Sequence, residues 1–106
     1  MKQKRRQYKR YRMIEMVTVE NADTKATVRG CLEDISAGGA SFITPDGLAG
    51  WGIINVELPG LIVNAQVVRS ERRGGNWVFR VKFEKMNFFR KLKLLSVIKK
   101  SAKQSE

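Results

Sequence analysis

Short apolar segments separated by turn-forming residues make up most of this chain, and this pattern limits it to a small β fold. The clearest segment alternates apolar and charged residues from Trp77 to Phe83, as one face of a strand requires. Similar segments occupy residues 13–20, 25–33, 40–44, 52–58 and 61–69. Six such strands predict a mainly β domain, either a small six-stranded antiparallel β-barrel or a sandwich.

After the last strand, the apolar residues no longer alternate and instead follow the spacing of a helix. Phe88, Leu92 and Leu95 recur at three- and four-residue spacing, and Asn87 is a suitable N-cap. We therefore expect a C-terminal α-helix at 85–100 and a frayed tail at 101–106. Further apolar residues widen the helix's apolar sector. Either the helix packs on the β domain with a few of them exposed, or its outer side meets a second subunit or a partner protein.

The positive charge of the chain is concentrated at its two ends. Of the 21 Lys and Arg residues, seven lie in residues 1–12 and seven in residues 85–104, and neither segment holds any of the 10 Asp and Glu residues. The segment between them, residues 13–84, holds seven cations and nine acids. This distribution predicts a nearly neutral barrel with a flexible basic N-terminal arm, and an anionic ligand bound near the ends.

Several classes of function do not fit this composition. The chain has no His and a single Cys, Cys31, which excludes histidine-based catalysis, zinc sites and a disulfide framework. Cys31 is expected to be a small buried residue. No pair of residues has the spacing of a nucleophile and its base, so we expect a binding module rather than an enzyme, without a metal or cofactor. The sequence contains no membrane span or signal peptide, which predicts a cytoplasmic location.

Two arginines four residues apart, Arg6 and Arg10, form the first candidate site. In an extended chain both face the same side, about 13 Å apart, so that two guanidinium groups can hold one ligand. The same spacing also occurs by chance in a solvated basic tail.

A DxSxxG string forms the second candidate site, from Asp34 through Ser36 to Gly39. These residues are also typical of an ordinary turn. A carboxylate there can accept hydrogen bonds from the N1–H and N2–H₂ donors of guanine, and glycines leave backbone amides open to a phosphate. Arginine complements this because the O6 and N7 atoms of guanine accept from a guanidinium.

The order of these features resembles that of a PilZ domain, a bacterial receptor for cyclic di-GMP, over about residues 5–100. The resemblance implies a six-stranded barrel with the arm folded over its outer surface, where both motifs contact the ligand. The motif residues concerned are Arg6, Arg10, Asp34, Ser36, Gly38 and Gly39. It also implies an output in motility or biofilm regulation. Since the sequence contains no catalytic domain, we expect the signal to pass to a downstream protein, for which the basic C-terminal helix, with its wide apolar sector, is the predicted docking element.

Two further positions follow from the resemblance. Arg5 directly precedes the arginine pair, a place that in the family accompanies binding of a stacked dimer of the ligand. Arg80 stands where many members have glycine, and either contacts a phosphate or is a solvated charge.

Two alternatives remain at this stage. One is a basic barrel that binds RNA or single-stranded DNA, with Tyr8, Tyr11 and Trp51 as stacking platforms. The other is a PilZ-like docking domain that does not bind nucleotide.

Overall fold

The computed structural model describes residues 10–48 and 50–104, except for the side chains of residues 88 and 101–104. This part of the chain forms six strands and one helix, which confirms the predicted fold class. The elements are β1 (Tyr11–Asn21), β2 (Thr27–Ile35), β3 (Gly39–Thr44), β4 (Ile53–Leu58), β5 (Leu61–Arg73), β6 (Asn76–Phe83) and α1 (Phe88–Gln104).

The strands close into a barrel in the order β1-β2-β3-β6-β5-β4, and every neighbouring pair is antiparallel. Closure comes from β1 and β4, where Thr18 pairs with Glu57 and Asn21 with Ile54. The fold is therefore a barrel and not a sandwich, because hydrogen bonding continues around the whole sheet.

The barrel interior is filled by alternate residues of the strands. Phe42 and Phe79 are fully buried, with ring centroids 5.9 Å apart, while Arg80 and Lys82 point outward as the alternation predicted. Leu94 and Ile98 of α1 are 0% exposed and belong to the same core. The helix therefore packs on the barrel. The apolar residues Phe89 and Leu92 stay on its exposed side.

Several strands begin or end at residues other than those predicted. β1 begins at Tyr11, inside the predicted arm of residues 1–12, because Tyr11 pairs with Ile35. β2 ends at Ile35 rather than at residue 33. β5 continues to Arg73, past the predicted end at 69, because Gly74, with φ of 62°, allows a two-residue turn into β6.

The helix and the cysteine also differ from expectation. Asn87 Oδ1 accepts a hydrogen bond from the Arg90 backbone N–H at 2.8 Å, so α1 begins at Phe88 and not at 85. Residues 101–104, predicted to fray, belong to α1, since no Gly or Pro interrupts them and lysines suit a helix C-terminus. Cys31 is half-buried because it lies on the outer face of β2. No helix in the described residues is long and apolar enough to cross a membrane.

Candidate functional site

An ion pair joins the two predicted motifs on the outer surface of the barrel. The Arg10 guanidinium donates through Nη1 to Asp34 Oδ1, and the two side chains are 22% and 32% exposed. Arg10 is the second arginine of the RxxxR string and Asp34 the first residue of the DxSxxG string. Arg5 and Arg6 lie outside the described residues. Among the described residues, the two strings thus come into contact through this ion pair.

The register of β1 and β2 produces this pairing. Arg12 lies opposite Asp34, and Arg10 immediately precedes β1 on the same edge. Irregularities interrupt the register between Arg12 and Glu15 on β1 and between Leu32 and Asp34 on the β2–β3 side. Such irregularities are common next to binding sites, since they bend a strand and redirect its side chains.

The DxSxxG string forms the tight turn between β2 and β3. The Ser36 backbone N–H donates to the Gly39 carbonyl at 2.8 Å, and the Gly38 N–H donates to Ser36 Oγ at 3.2 Å. The Ser36 hydroxyl also donates to the Gly39 carbonyl at 3.4 Å, and Ser36 is buried. Ser36 therefore holds the turn in shape, which is the role that ordinary turn chemistry predicts.

Gly39 is required by packing against β6. A Cβ built on Gly39 would lie 2.3 Å from the Val81 carbonyl oxygen, and Gly39 does not have a positive φ. The adjacent Gly38 carbonyl accepts a hydrogen bond from the Phe83 N–H at 2.9 Å. The sequence suggested that these glycines admit a phosphate. The structure adds a reason that local sequence did not indicate, the close approach of the turn to β6.

A row of polar residues, of which the serine is buried, crosses the strands beside this turn. Its members lie directly opposite one another on β1, β2, β3, β6 and β5, and we call them the site row: Arg12, Asp34, Ser41, Arg80 and Arg69. Arg80, a predicted site residue, is thus two strands away from Asp34. Ser41 and Arg69 were not predicted. No local signal marks them, because only the strand register places them in this row.

In the described part of the chain, depressions of about 730, 230 and 390 Å³ border the site row. The 730 Å³ depression is lined by motif residues together with residues of β6 and α1, and these include Arg10, Ser36, Gly38, Gly39, Arg80, Lys82, Lys85 and Lys91. The two smaller depressions share Asp34. The surface around the ion pair is therefore concave and carries several cations.

The described aromatic residues that were candidates for stacking on nucleic-acid bases do not present open ring faces. Tyr11 and Trp51 are partly buried and pack against the barrel core, and Tyr8 lies outside the described residues. Most of the surface of these two rings contacts the core, whereas stacking of bases needs an open ring face.

A six-stranded β-barrel with these two motifs and a C-terminal helix is the architecture that the sequence predicted for a PilZ domain. Comparison with known families identifies the same family. Residues 4–95 match the family model of the PilZ domain. The chain belongs to the PilZ domain family. By sequence, no curated protein matches it.

Solved structures share the fold. The PilZ domain of YcgR from Escherichia coli, solved with c-di-GMP, has a TM-score of 0.76 and 15% identity, and the match covers 96% of this chain and 95% of that chain. The Bacillus subtilis inhibitor of motility, MotI/DgrA, has a TM-score of 0.68 and 18% identity, covering 96% of this chain and 52% of that one. The PilZ domain of CeSA from a cellulose-synthesizing bacterium has a TM-score of 0.58 and 28% identity, covering 85% and 94%.

Proposed function

We propose that this protein binds cyclic di-GMP on the barrel surface around Arg10 and Asp34 and relays the signal to a partner protein. The observation that carries the proposal is the ion pair between these two residues, because it joins the RxxxR and DxSxxG motifs in one place. Membership of the PilZ family supports it. So does the fold shared with the PilZ domain of YcgR, which was solved with c-di-GMP.

The chemistry of the pair suits guanine. A carboxylate accepts through two oxygens and an arginine has five N–H donors, so the Arg10–Asp34 contact leaves groups on both residues for a ligand. Asp34 would accept from the guanine N1–H and N2–H₂ groups. Arg10 would donate to guanine or to the adjacent phosphate, and Arg80 to a phosphate.

The remaining predicted contacts come from the turn and the arm. Ser36, Gly38 and Gly39 would keep the turn close to the ligand. Arg6 would supply the second guanidinium of the motif, and Arg5 would contact a second, stacked ligand molecule.

The signal would pass through the basic arm. Residues 1–9, which precede the Arg10–Asp34 pair, carry five cations and no acid, so bringing them onto the barrel costs electrostatic repulsion. A ligand with two phosphate charges, or a stacked pair with four, offsets that repulsion. Folding of the arm over the ligand would then create a new surface that a downstream protein recognises.

Isothermal titration calorimetry with cyclic di-GMP tests the proposal. Arg10→Ala and Asp34→Ala should each abolish binding while the circular dichroism spectrum stays unchanged. Arg29→Ala and Asp46→Ala are matched controls, since these residues are exposed and border none of the three depressions. Both controls should bind like the unmodified protein. Unchanged affinity in the Arg10 and Asp34 variants would refute the assignment.

The same titrations separate the alternatives. A guanine site should prefer cyclic di-GMP to cyclic di-AMP at fixed salt, whereas RNA or single-stranded DNA binding should weaken as a steep power of salt concentration. A stoichiometry of two ligands per chain would support the role of Arg5. Absence of heat with any nucleotide would favour a docking domain without a ligand.

A further inference from the structure

Three lysines from the C-terminal part of the chain border the 730 Å³ depression that the motif residues also line, which we call the groove. Lys82 belongs to β6, Lys85 to the link after it, and Lys91 to α1. With Arg10 and Arg80 they bring five cations to the groove, whereas Glu84 is the one acid among its described lining residues. Positive charge on the groove therefore exceeds what its own acid can neutralise, which favours an anionic occupant.

The backbone that carries Lys82 and Lys85 is hydrogen-bonded to the DxSxxG turn and to β5. Just before Lys85, the Phe83 N–H donates to the Gly38 carbonyl and the Glu84 N–H donates to the Asn64 carbonyl, each at 2.9 Å. Lys82 lies directly opposite Gly39 in the β3–β6 pair. The link therefore cannot shift without breaking hydrogen bonds to the turn and to β5.

The helix is held just as firmly. Leu94 and Ile98 anchor α1 in the core, and the Arg90 side chain donates through Nη2 to the Ile62 carbonyl at 2.5 Å. Lys91 is half-buried beside the groove, whereas Lys93 and Lys99 on the same helix are exposed. The position of Lys91 is thus set by the packing of α1 on the barrel.

Electrostatics at the start of α1 is unfavourable without an anion. The N-terminal end of a helix carries partial positive charge, and acidic residues there are stabilising. The first turn of α1 holds no acid, and Arg90 and Lys91 add positive charge to it. A phosphate in the groove would relieve this repulsion, because it would lie near both the lysines and the start of the helix.

From these observations, and resting on the proposed function, we infer that Lys82, Lys85 and Lys91 form a phosphate subsite of the cyclic di-GMP site. The subsite takes the ligand phosphate that lies farther from Asp34, in the part of the groove between the turn and the start of α1. Two of the C-terminal cations thereby belong to the ligand site, although the C-terminal helix was predicted as the docking element for a protein partner. The subsite also connects the ligand to α1.

The test compares two double variants of the full chain by calorimetry with cyclic di-GMP at several salt concentrations. Lys85→Ala with Lys91→Ala should weaken binding about tenfold and make the dependence of affinity on salt less steep. Lys93→Ala with Lys99→Ala removes the same charge from exposed positions on the same helix and should change affinity by less than about twofold. Lys85→Arg with Lys91→Arg should restore most of the affinity, because positive charge is retained.

The outcomes distinguish this inference from the proposed function. If the unmodified protein binds cyclic di-GMP, the Asp34→Ala variant does not, and the two double lysine variants have equal affinities, the phosphate subsite is wrong and the receptor assignment stands. If the unmodified protein does not bind, both are wrong. Thermal melting followed by circular dichroism shows whether each variant is folded.

Discussion

Two rows of polar residues cross the barrel on different strand pairs, and they differ in how their polar groups are paired. On β1, β4 and β5, Glu20, Asn55 and Asn64 lie directly opposite one another, and we call them the amide row. The Asn55 amide donates to Glu20 Oε1 at 2.8 Å, and the Asn64 amide donates to Asn55 Oδ1. The amide row thus pairs its polar groups internally.

The site row cannot do the same. It sets three arginines and one serine around the single carboxylate of Asp34, and Arg10 adds another cation. With Arg73, the described residues of the two smaller depressions around the row include five arginines against the three carboxylates of Glu33, Asp34 and Glu71. The remaining excess of positive charge suits the row to an external anion. The difference indicates that the strand register alone does not create a binding surface. A row becomes a candidate binding surface when its charges exceed what neighbouring residues can neutralise.

Exchange of the two charges in the ion pair should have the largest effect. The double variant Arg10→Asp with Asp34→Arg retains an ion pair but places arginine where guanine donors would need a carboxylate. We expect cyclic di-GMP affinity to fall at least about a hundredfold, or about 3 kcal/mol, in calorimetry. The circular dichroism spectrum should be unchanged. Affinity within tenfold of the original would mean that the pair only holds β1 and β2 together.

Substitution of Gly39 should come next, as a loss of stability. Gly39→Ala places a Cβ 2.3 Å from the Val81 carbonyl oxygen and should lower the free energy of unfolding by about 2 kcal/mol in urea denaturation. Gly75→Ala is the control, because nothing lies within 4 Å of its Cβ position and its φ is not positive. It should change stability by less than about 0.5 kcal/mol. Equal effects of the two variants would contradict close packing of the turn on β6.

Asn55→Ala should lower stability without lowering ligand affinity, and the loss of stability should be smaller than that caused by Gly39→Ala. It removes the centre of the amide row, with an expected loss of about 1 kcal/mol in the free energy of unfolding, since water can replace part of the lost bonding. Cyclic di-GMP affinity should stay within about twofold. A large loss of affinity would show that the amide row also belongs to the binding surface.

Arg73→Ala should have the smallest effect. Arg73 Nη1 lies 3.1 Å from Glu33 Oε2 beside the site row, and its side chain is 55% exposed. Exposed ion pairs contribute about 0.2–1 kcal/mol, and salt screens them. Urea denaturation should show a loss of about 0.3 kcal/mol at low salt and no difference at 1 M salt. A difference that persists at high salt would indicate a contact other than the ion pair.

Much of the fold was predictable because its signals are local. Alternation from Trp77 to Phe83 reports which side chains face the core, and Asn87 marks the helix start through a bond to the next turn. The DxSxxG string was recognisable as the β2–β3 turn for the same reason. The exact strand ends were less accurate, since Tyr11 and Arg73 join strands through partners far away in sequence.

By itself the sequence determined the strands, the turns, the helix and the concentration of cations at both ends, since each depends on residue type and short-range spacing. Only the tertiary structure decided which of these features meet. Pairing of β2 with β3, β3 with β6 and β6 with β5 places Ser41 and Arg69 in line with Asp34, and packing of α1 brings Lys91 to the groove that Arg10 borders. Such contacts depend on the hydrogen-bond register between distant strands and on burial of Leu94 and Ile98. Local residue preferences do not encode that register.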